Sequence, residues 1–262
     1  MYPELFTIPL LNWPVSSFGA AMAVAFLVGY GIAIPRMREE GLNPEDAANM
    51  LIWIMIGGVV GAKLYYAIDT SVRGEGVFFD SLFSRAGMTF YGGLLGGALA
   101  GGLGCIFYKI PITPFANAAA ASVAIGQAIG RIGCFLVGDD YGRATDLPWG
   151  IAFPRGLPPV HHPVHPTQLY EFAWLSLVTA FLWARRKKSP SLIGEFLCLN
   201  GAGRAVIEHW RVNPRVVLGL SEAQWIGFAL IVLGVLLWTM ARRNASRRSH
   251  AADQARAISS RS

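Results

Sequence analysis

Long runs of apolar residues, separated by short polar segments, extend along most of the chain. Seven of these runs are long enough to cross the hydrocarbon core of a bilayer, which a helix spans with roughly 20 residues. The pattern therefore predicts an all-α polytopic membrane protein with seven transmembrane helices, at residues 16–34, 50–68, 88–108, 112–135, 166–183, 192–210 and 223–240.

The composition agrees with a membrane protein. Of the 262 residues, 53% are hydrophobic and only 15% are charged, whereas a soluble domain carries about 25% charged residues. A formal net charge of +6 is compatible with nucleic-acid binding. Most of the basic residues, however, lie between or after the apolar runs, so we expect membrane lipids and no nucleic acid as partners.

The distribution of Lys and Arg predicts the orientation in the membrane. Thirteen of the 22 basic residues follow the first, third, fifth and seventh runs, and six lie on the opposite side. Because positively charged loops remain in the cytoplasm, we expect the N-terminus outside and the C-terminus inside. The predicted transmembrane domain covers residues 1–244, with a small extracytoplasmic cap at about 136–165, and a disordered basic cytoplasmic tail covers 245–262.

Three basic residues lie inside the apolar runs, namely Lys63, Arg131 and Arg204. A charge at the centre of a bilayer costs roughly 2.5–3.5 kcal/mol, so such residues tend to mark functional sites. The predicted orientation places Arg131 and Arg204 near the outer ends of their helices. Glu208 is four residues from Arg204 and shares its helix face, so we expect it to hold Arg204 in place. For Lys63, snorkelling to the membrane surface is an equal alternative.

Two further segments combine polar side chains with glycine or proline. Gly92 and Gly93, beside Tyr91, would expose backbone N–H groups to a phosphate at a helix start, although glycines in this run also fit close helix packing. The segment HHPVH at 161–165 contains a proline that prevents helical ligand spacing and has no adjacent acidic residue. We therefore expect no metal and no cofactor. His165 differs from the other histidines because it begins the fifth run.

Four blocks of sequence resemble the prolipoprotein diacylglyceryl transferases of bacterial inner membranes. The blocks follow one another in the order that is typical of the family, and the resemblance extends over nearly the whole chain. They are GRIGCF at 130–135 continued by GDDYGR at 138–143, FYGGL at 90–94, HPTQLYE at 165–171 and RAVIEHWR at 204–211.

The resemblance implies a multi-pass enzyme of the bacterial inner membrane. Members of this family transfer the diacylglyceryl group of phosphatidylglycerol to the lipobox cysteine in the signal peptide of a prolipoprotein. A thioether forms and glycerol phosphate leaves, which is the first step of bacterial lipoprotein maturation. The nucleophile comes from the peptide, so the enzyme itself needs no reactive cysteine and no cofactor.

The resemblance also implies roles for individual residues. Arg131 and Arg204 would bind the lipid phosphate, Gly142 and Arg143 would belong to the outer loop beside it, and Glu208 would orient Arg204. Arg204, Tyr91 and His165 are the predicted catalytic residues. Further predicted contacts to phosphatidylglycerol come from Gly92 and Gly93, and further structural support from Gln168, Glu171 and Lys63.

Three positions depart from the usual pattern of the family. Tyr91 replaces the histidine of a His-Gly-Gly motif, Cys134 replaces the asparagine of the arginine signature, and Phe18 replaces a tyrosine of the first span. A tyrosine, with a pKa near 10, is a poor base at neutral pH. Tyr91 would therefore hydrogen-bond the lipid, or act as base only with a strongly lowered pKa, and His165 is the alternative base.

Two other functions compete with an active transferase. The three departures are compatible with a paralogue that keeps the lipid site but uses another acceptor or has no turnover. A phospholipid transporter or scramblase could use the same basic cavity. The charged residues gather near one leaflet, however, and the sequence has no inverted repeat of broken helices of the kind that many transporters use.

Overall fold

The computed structural model describes residues 2–8, 13–74, 76–84 and 89–259, without the side chains of Ile8, Trp13, Phe90, Tyr91 and residues 248–259. Within these ranges the chain is mostly helical. Its elements are β1 (Glu4–Ile8), β2 (Trp13–Ser16), α1 (Ser17–Glu39), α2 (Asp46–Val72), α3 (Phe78–Phe83), α4 (Phe90–Phe107), α5 (Ile112–Val137), β3 (Ile151–Phe153), β4 (Val160–Val164), α6 (Thr167–Arg185), α7 (Leu192–Ile207), a 3-10 turn (Glu208–Trp210), β5 (Arg215–Val217), β6 (Leu220–Ser221) and α8 (Glu222–Ser259).

Each of the seven apolar runs contains a helix in the structure. By length and composition, four helical segments can cross a membrane: α1, α2, α5 and residues Glu222–Arg247 of α8. The apolar part of α4, Gly92–Phe107, is shorter, and α6 and α7 have 19 and 16 residues. The prediction of a helical membrane protein is therefore confirmed.

The helix α8 continues into the basic segment at the C-terminus. It runs to Ser259, past residue 244, where the sequence pattern places the start of a disordered tail. The backbone between 245 and 259 is thus helical, and residues 260–262 lie outside the described ranges. The domain boundary at 244 stays a prediction.

The chain divides into two compact units. The first unit comprises Met1–Ile32 and Ala119–Ser262, and the second comprises Ala33–Ala118. In the second unit, α2 and α4 pack closely because glycines face one another. A Cβ on Gly61 would lie 2.7 Å from the Cα of Gly96, and a Cβ on Gly92 would lie 2.5 Å from the Cβ of Tyr65. Small residues at these positions let the two backbones approach.

In the first unit, α5, α6 and α7 share an apolar core. Alanines of α5 pack there against larger side chains of α6 and α7, the core being Ala120, Ala121, Ala124, Val178, Leu182, Leu192 and Phe196. Two polar contacts join the same helices. The amide of Asn200 donates to Oε1 of Gln127 at 2.6 Å, and the indole of Trp174 donates to the carbonyl of Leu199 at 3.0 Å. The ends of these helices are thereby held in a defined arrangement.

The segment between α5 and α6 is folded around Phe153. Its strands β3 and β4 pair antiparallel, with Phe153 opposite Val160. The ring of Phe153 is fully buried, stacks on Tyr141 at 5.4 Å and meets the edge of Phe135 at 5.8 Å. This aromatic core anchors the loop that follows α5, which carries part of the candidate site.

Candidate functional site

Arg131 lies near the end of α5, and the chain turns back beside it. Gly138 and Asp140 both adopt positive φ angles, of 78° and 60°. This conformation is easy for glycine and unusual for aspartate. The turn brings the Asp140 carboxylate to Nη1 of Arg131, at 2.8 Å. Two contacts from the start of α6 hold the turn: Thr167 donates to the carbonyl of Asp140, and Gln168 donates to the carbonyl of Asp139.

Glu171 of α6 contacts three arginines from three different parts of the first unit. Its Oε2 lies 2.6 Å from Nε of Arg131, and its Oε1 lies 3.0 Å from Nη1 of both Arg204 and Arg211. Arg204 belongs to the last turn of α7, and Arg211 follows the 3-10 turn. The Glu171 side chain is only 7% exposed. One buried carboxylate therefore joins the ends of three segments.

Two further carboxylates complete an arginine–carboxylate network, which consists of Arg131, Arg204, Arg211, Asp140, Glu171 and Glu208. Asp140 bridges Arg131 and Arg211, the second contact measuring 2.6 Å. Glu208 lies 3.3 Å from Arg204 and also accepts hydrogen bonds from Asn213 and Ser221. Three positive and three negative side chains balance in charge. Such compensation is required because a partly buried charge without a partner is strongly destabilising.

The pKa values of the two aspartates of the turn are shifted in opposite directions. Burial alone would raise the pKa of Asp140, but the charges of Arg211 and Arg131 outweigh this and hold its pKa below the usual range. The pKa of Asp139 is raised, chiefly by burial and then by the neighbouring charge of Asp140. Asp140 is thus a stable anionic partner for the arginines, whereas ionisation of Asp139 is costly.

His165 lies under an aromatic cluster beside the network. Its Nδ1 is 3.1 Å from the hydroxyl of Tyr170, which also accepts a hydrogen bond from Trp149 at 2.8 Å. The ring of Trp210 lies 6.3 Å from the His165 ring. Burial, and then the charge of Arg143, lower the pKa of His165 below its usual value. The imidazole is therefore neutral at neutral pH and able to accept a proton.

Gly142 and Arg143 connect His165 to the 3-10 turn through their backbones. Gly142 donates to the carbonyl of His165 and Arg143 donates to that of Trp210, both at 2.8 Å. A Cβ on Gly142 would lie 2.5 Å from the Trp210 carbonyl oxygen and 2.9 Å from the Cβ of His165. Position 142 thus requires glycine, because the Trp210 carbonyl and the His165 side chain approach its backbone closely. The side chain of Arg143 is exposed.

The structure brings most of the predicted site residues together in the first unit: Arg131, Gly142, Arg143, His165, Gln168, Glu171, Arg204 and Glu208. The second unit contains Lys63, Gly92 and Gly93. Lys63 donates to the carbonyl of Ser84 at 2.6 Å, and Gly92 lies at the α2–α4 contact. The Tyr91 side chain is outside the described part, so its predicted role stays a prediction.

Two departures from the family pattern lie next to each other in the first unit. The Cys134 thiol is 4.0 Å from Nη1 of Arg131. Phe18 packs on Gly133, where a Cβ would meet its ring at 3.2 Å. Cys134 thus borders the network, whereas Phe18 contacts α5 two residues beyond Arg131, and neither substitution removes a charged group of the network.

Sequence reasoning missed Asp140 and Arg211. Arg211 is seven residues after Arg204, so a continued helix would have placed both arginines on one face. The contact of Asp140 with Arg131 depends on the turn after α5. The sequence separation of the two residues does not predict this turn.

One group of described residues carries side chains of the kinds that can coordinate a metal ion. Ligand atoms of Cys134, Asp139 and Asp140 lie within 4.8 Å of one another. The guanidinium of Arg131, however, is 2.8 Å from Asp140 and 4.0 Å from the Cys134 sulfur. Its positive charge would repel a cation at this position. The arginines instead make the region suitable for an anion such as a phosphate.

We expect Glu171→Gln to destabilise the protein by about 3–5 kcal/mol, because removing one partner of a buried ion pair leaves uncompensated charge. Thermal unfolding of the purified protein in detergent measures this change. The matched control is Asp69→Asn, which removes one partner of the exposed Arg73 and should cost at most about 1 kcal/mol. Equal effects of the two substitutions would contradict a central role of Glu171.

Comparison with known proteins shows the family to which the chain belongs. The sequence model of the prolipoprotein diacylglyceryl transferase family matches residues 3–240. A phosphatidylglycerol–prolipoprotein diacylglyceryl transferase of Clostridium tetani is 32% identical over 250 residues, covering 92% of this chain and 98% of that protein. Enzymes of the same name from Idiomarina loihiensis and Thermotoga maritima are also 32% identical, over 92% and 86% of this chain and 93% and 78% of theirs. The chain therefore belongs to the prolipoprotein diacylglyceryl transferase family.

Proposed function

We propose that this protein transfers the diacylglyceryl group of phosphatidylglycerol to the lipobox cysteine of prolipoproteins. The observation that carries the proposal is the convergence of Arg131, Arg204 and Arg211 on Glu171. Family membership supports the same reaction. The substrates follow from the names of the related enzymes.

The protein crosses the bacterial inner membrane seven times, with the N-terminus outside and the C-terminus in the cytoplasm. This topology is supported by a helix in each of the seven apolar runs and by the excess of Lys and Arg on one side. It places Arg131 and Arg204 at the outer surface, at the depth of a lipid headgroup. Residues 1–244 form the transferase domain, with a cap at about 136–165.

The phosphate of the lipid binds to Arg131 and Arg204. Their side chains are 17% and 23% exposed, so both guanidinium groups can gain a further contact while Glu171 holds them. Phosphate oxygens accept paired hydrogen bonds from arginine in the same way as carboxylates do. Arg211, which is 6% exposed, serves to position Glu171 and Asp140.

In the transfer step, the sulfur of the substrate cysteine attacks the carbon of the diacylglyceryl group that is bonded to the phosphate ester oxygen. The carbon–oxygen bond breaks, a thioether forms, and glycerol phosphate leaves with the bonding electron pair. Negative charge grows on the leaving phosphate, and fixed cations lower the barrier because they are already oriented towards it. The proton of the thiol passes to a base.

His165 is the base that the described residues support. The Tyr170 hydroxyl accepts the Trp149 N–H and lies 3.1 Å from Nδ1 of His165. We assign to His165 the tautomer in which Nδ1–H donates to the second lone pair of the Tyr170 oxygen. This tautomer leaves Nε2 unprotonated, and the lowered pKa of His165 keeps the ring neutral. Tyr91 then contributes a hydrogen bond to the lipid and does not transfer the proton.

Arg131→Gln should reduce kcat/KM about 100- to 1000-fold, as expected when one donor to a developing anion is lost. The assay combines purified protein, phosphatidylglycerol and a lipobox peptide, and mass spectrometry detects the thioether product. Arg186→Gln, at the end of α6 where the arginine stacks on Trp183, is the control and should retain full activity. If the unsubstituted protein binds phospholipid but yields no product, it is not an active transferase, and lipid flipping in vesicles would indicate a transporter.

The topology predicts which engineered cysteines a membrane-impermeant thiol reagent can reach in spheroplasts. Asp146→Cys in the cap should be labelled in intact spheroplasts, whereas Lys188→Cys after α6 should be labelled only after the membrane is disrupted. The unsubstituted chain, whose cysteines are buried or half-buried, gives the background. The reverse labelling pattern would overturn the orientation.

His165→Gln should lower kcat about 100-fold or more, the usual range for the loss of a general base, with little change in KM. Because the pKa of His165 is lowered, the rate should be constant at neutral pH and fall only on acidification below about 6.5. Tyr91→Phe should retain activity within tenfold. Full activity in His165→Gln but not in His165→Ala would show that His165 only forms hydrogen bonds.

A further inference from the structure

Two buried oxygen atoms beside the network accept no hydrogen bond from any residue that the structure describes. They are Oδ1 of Asp139 and Oε1 of Gln168. Gln168 is only 1% exposed, and Asp139 as a whole is half-buried. A buried acceptor without a donor costs about 1–3 kcal/mol. Two of them in residues that a hydrogen bond links therefore point to a ligand that brings donors.

The orientation of the Gln168 amide follows from its neighbour. Its Nε2 donates to the backbone carbonyl of Asp139. Rotating the amide by 180° would place Oε1 against that carbonyl, and two acceptors would face each other. The hydrogen bond also links the two residues directly, so both unpaired oxygens belong to one small region at the turn after α5.

This region adjoins the proposed phosphate site. A carboxylate oxygen of Asp139 lies within 4.8 Å of one of Asp140, and Asp140 contacts Arg131 at 2.8 Å. A group attached directly to the phosphate on Arg131 can thus reach Asp139. In phosphatidylglycerol, that group is the headgroup glycerol, which carries two hydroxyls.

We propose that Asp139 and Gln168 bind the two hydroxyl groups of the phosphatidylglycerol headgroup and so select this lipid. The assignment rests on the proposed function, since it assumes that the lipid phosphate lies on Arg131. Two oxygen acceptors match a diol, which supplies two O–H donors. The thiol of the peptide substrate fits less well because it is one weak donor.

The chemistry of the site disfavours a headgroup that carries no hydrogen-bond donor. A headgroup without hydroxyls leaves both acceptors unpaired, and a site built for hydroxyls rejects such analogues strongly. Phosphatidylpropanol is the matched probe, because its headgroup has the same three carbons and the same phosphodiester but no hydroxyls. The protein should therefore prefer phosphatidylglycerol over phosphatidylpropanol in kcat/KM by about tenfold or more, because the propanol headgroup leaves the buried acceptors without donors.

The experiment measures kcat/KM with both lipids for the unsubstituted protein, Asp139→Ala, Asp139→Asn and the control Asp146→Ala. Asp146 is an exposed aspartate of the same segment. Asp139→Ala removes the carboxylate but leaves the backbone carbonyl to which Gln168 donates. We expect it to lower kcat/KM about tenfold for phosphatidylglycerol only, so that the preference is lost. Asp139→Asn, which keeps one acceptor oxygen, should retain part of the preference, and Asp146→Ala all of it.

Several results would overturn the proposal. The first is equal use of both lipids by the unsubstituted protein, and the second is an unchanged lipid preference in Asp139→Ala. The third is an equal loss of kcat/KM with both lipids in Asp139→Ala, which would indicate a structural role of Asp139. Thermal stabilisation by micelles of each lipid provides the same comparison without turnover, so the inference can be judged even if no thioether forms. Stabilisation by Zn²⁺ or Ca²⁺ that Asp139→Ala removes would instead assign these residues to a metal.

Discussion

The contact between Glu171 and three arginines holds the candidate site together. Arg131, Arg204 and Arg211 come from the end of α5, the end of α7 and the segment after the 3-10 turn. Without a common carboxylate, three positive charges in a largely buried place would repel one another. Glu171 is therefore the residue on which the relative positions of these segments depend, and Asp140 and Glu208 balance the remaining charge.

The network is both stable and able to receive an anion. Its arginines are fixed by carboxylates, so little reorganisation is needed when a phosphate binds. Arg131 and Arg204 retain partial exposure, while Arg211 is almost fully enclosed. The enclosed arginine supports the carboxylates, and the two partly exposed arginines are those that we propose bind the lipid phosphate.

Two of the three substitutions that distinguish this chain from the usual family pattern, Cys134 and Phe18, lie in the same unit as the network and leave its charges intact. Cys134 lies beside Arg131, and Phe18 packs against Gly133. Asp139, with its raised pKa and unpaired oxygen, adjoins Cys134.

The sequence by itself determined the helical membrane class and the segments that form helices. It also singled out Arg131, Arg204 and Glu208, because a charge in an apolar run is visible without any structure. Local spacing also linked Arg204 to Glu208, since four residues make one helical turn. It left open whether Gly92 serves packing or phosphate binding, and its place at the α2–α4 contact supports packing. Only the tertiary structure decided that Glu171 is central and that Asp140 and Arg211 belong to the same network. Those contacts join residues up to 71 positions apart. They also require a turn with positive φ angles at Gly138 and Asp140. Hydrophobic periodicity predicts neither the long-range contacts nor the turn.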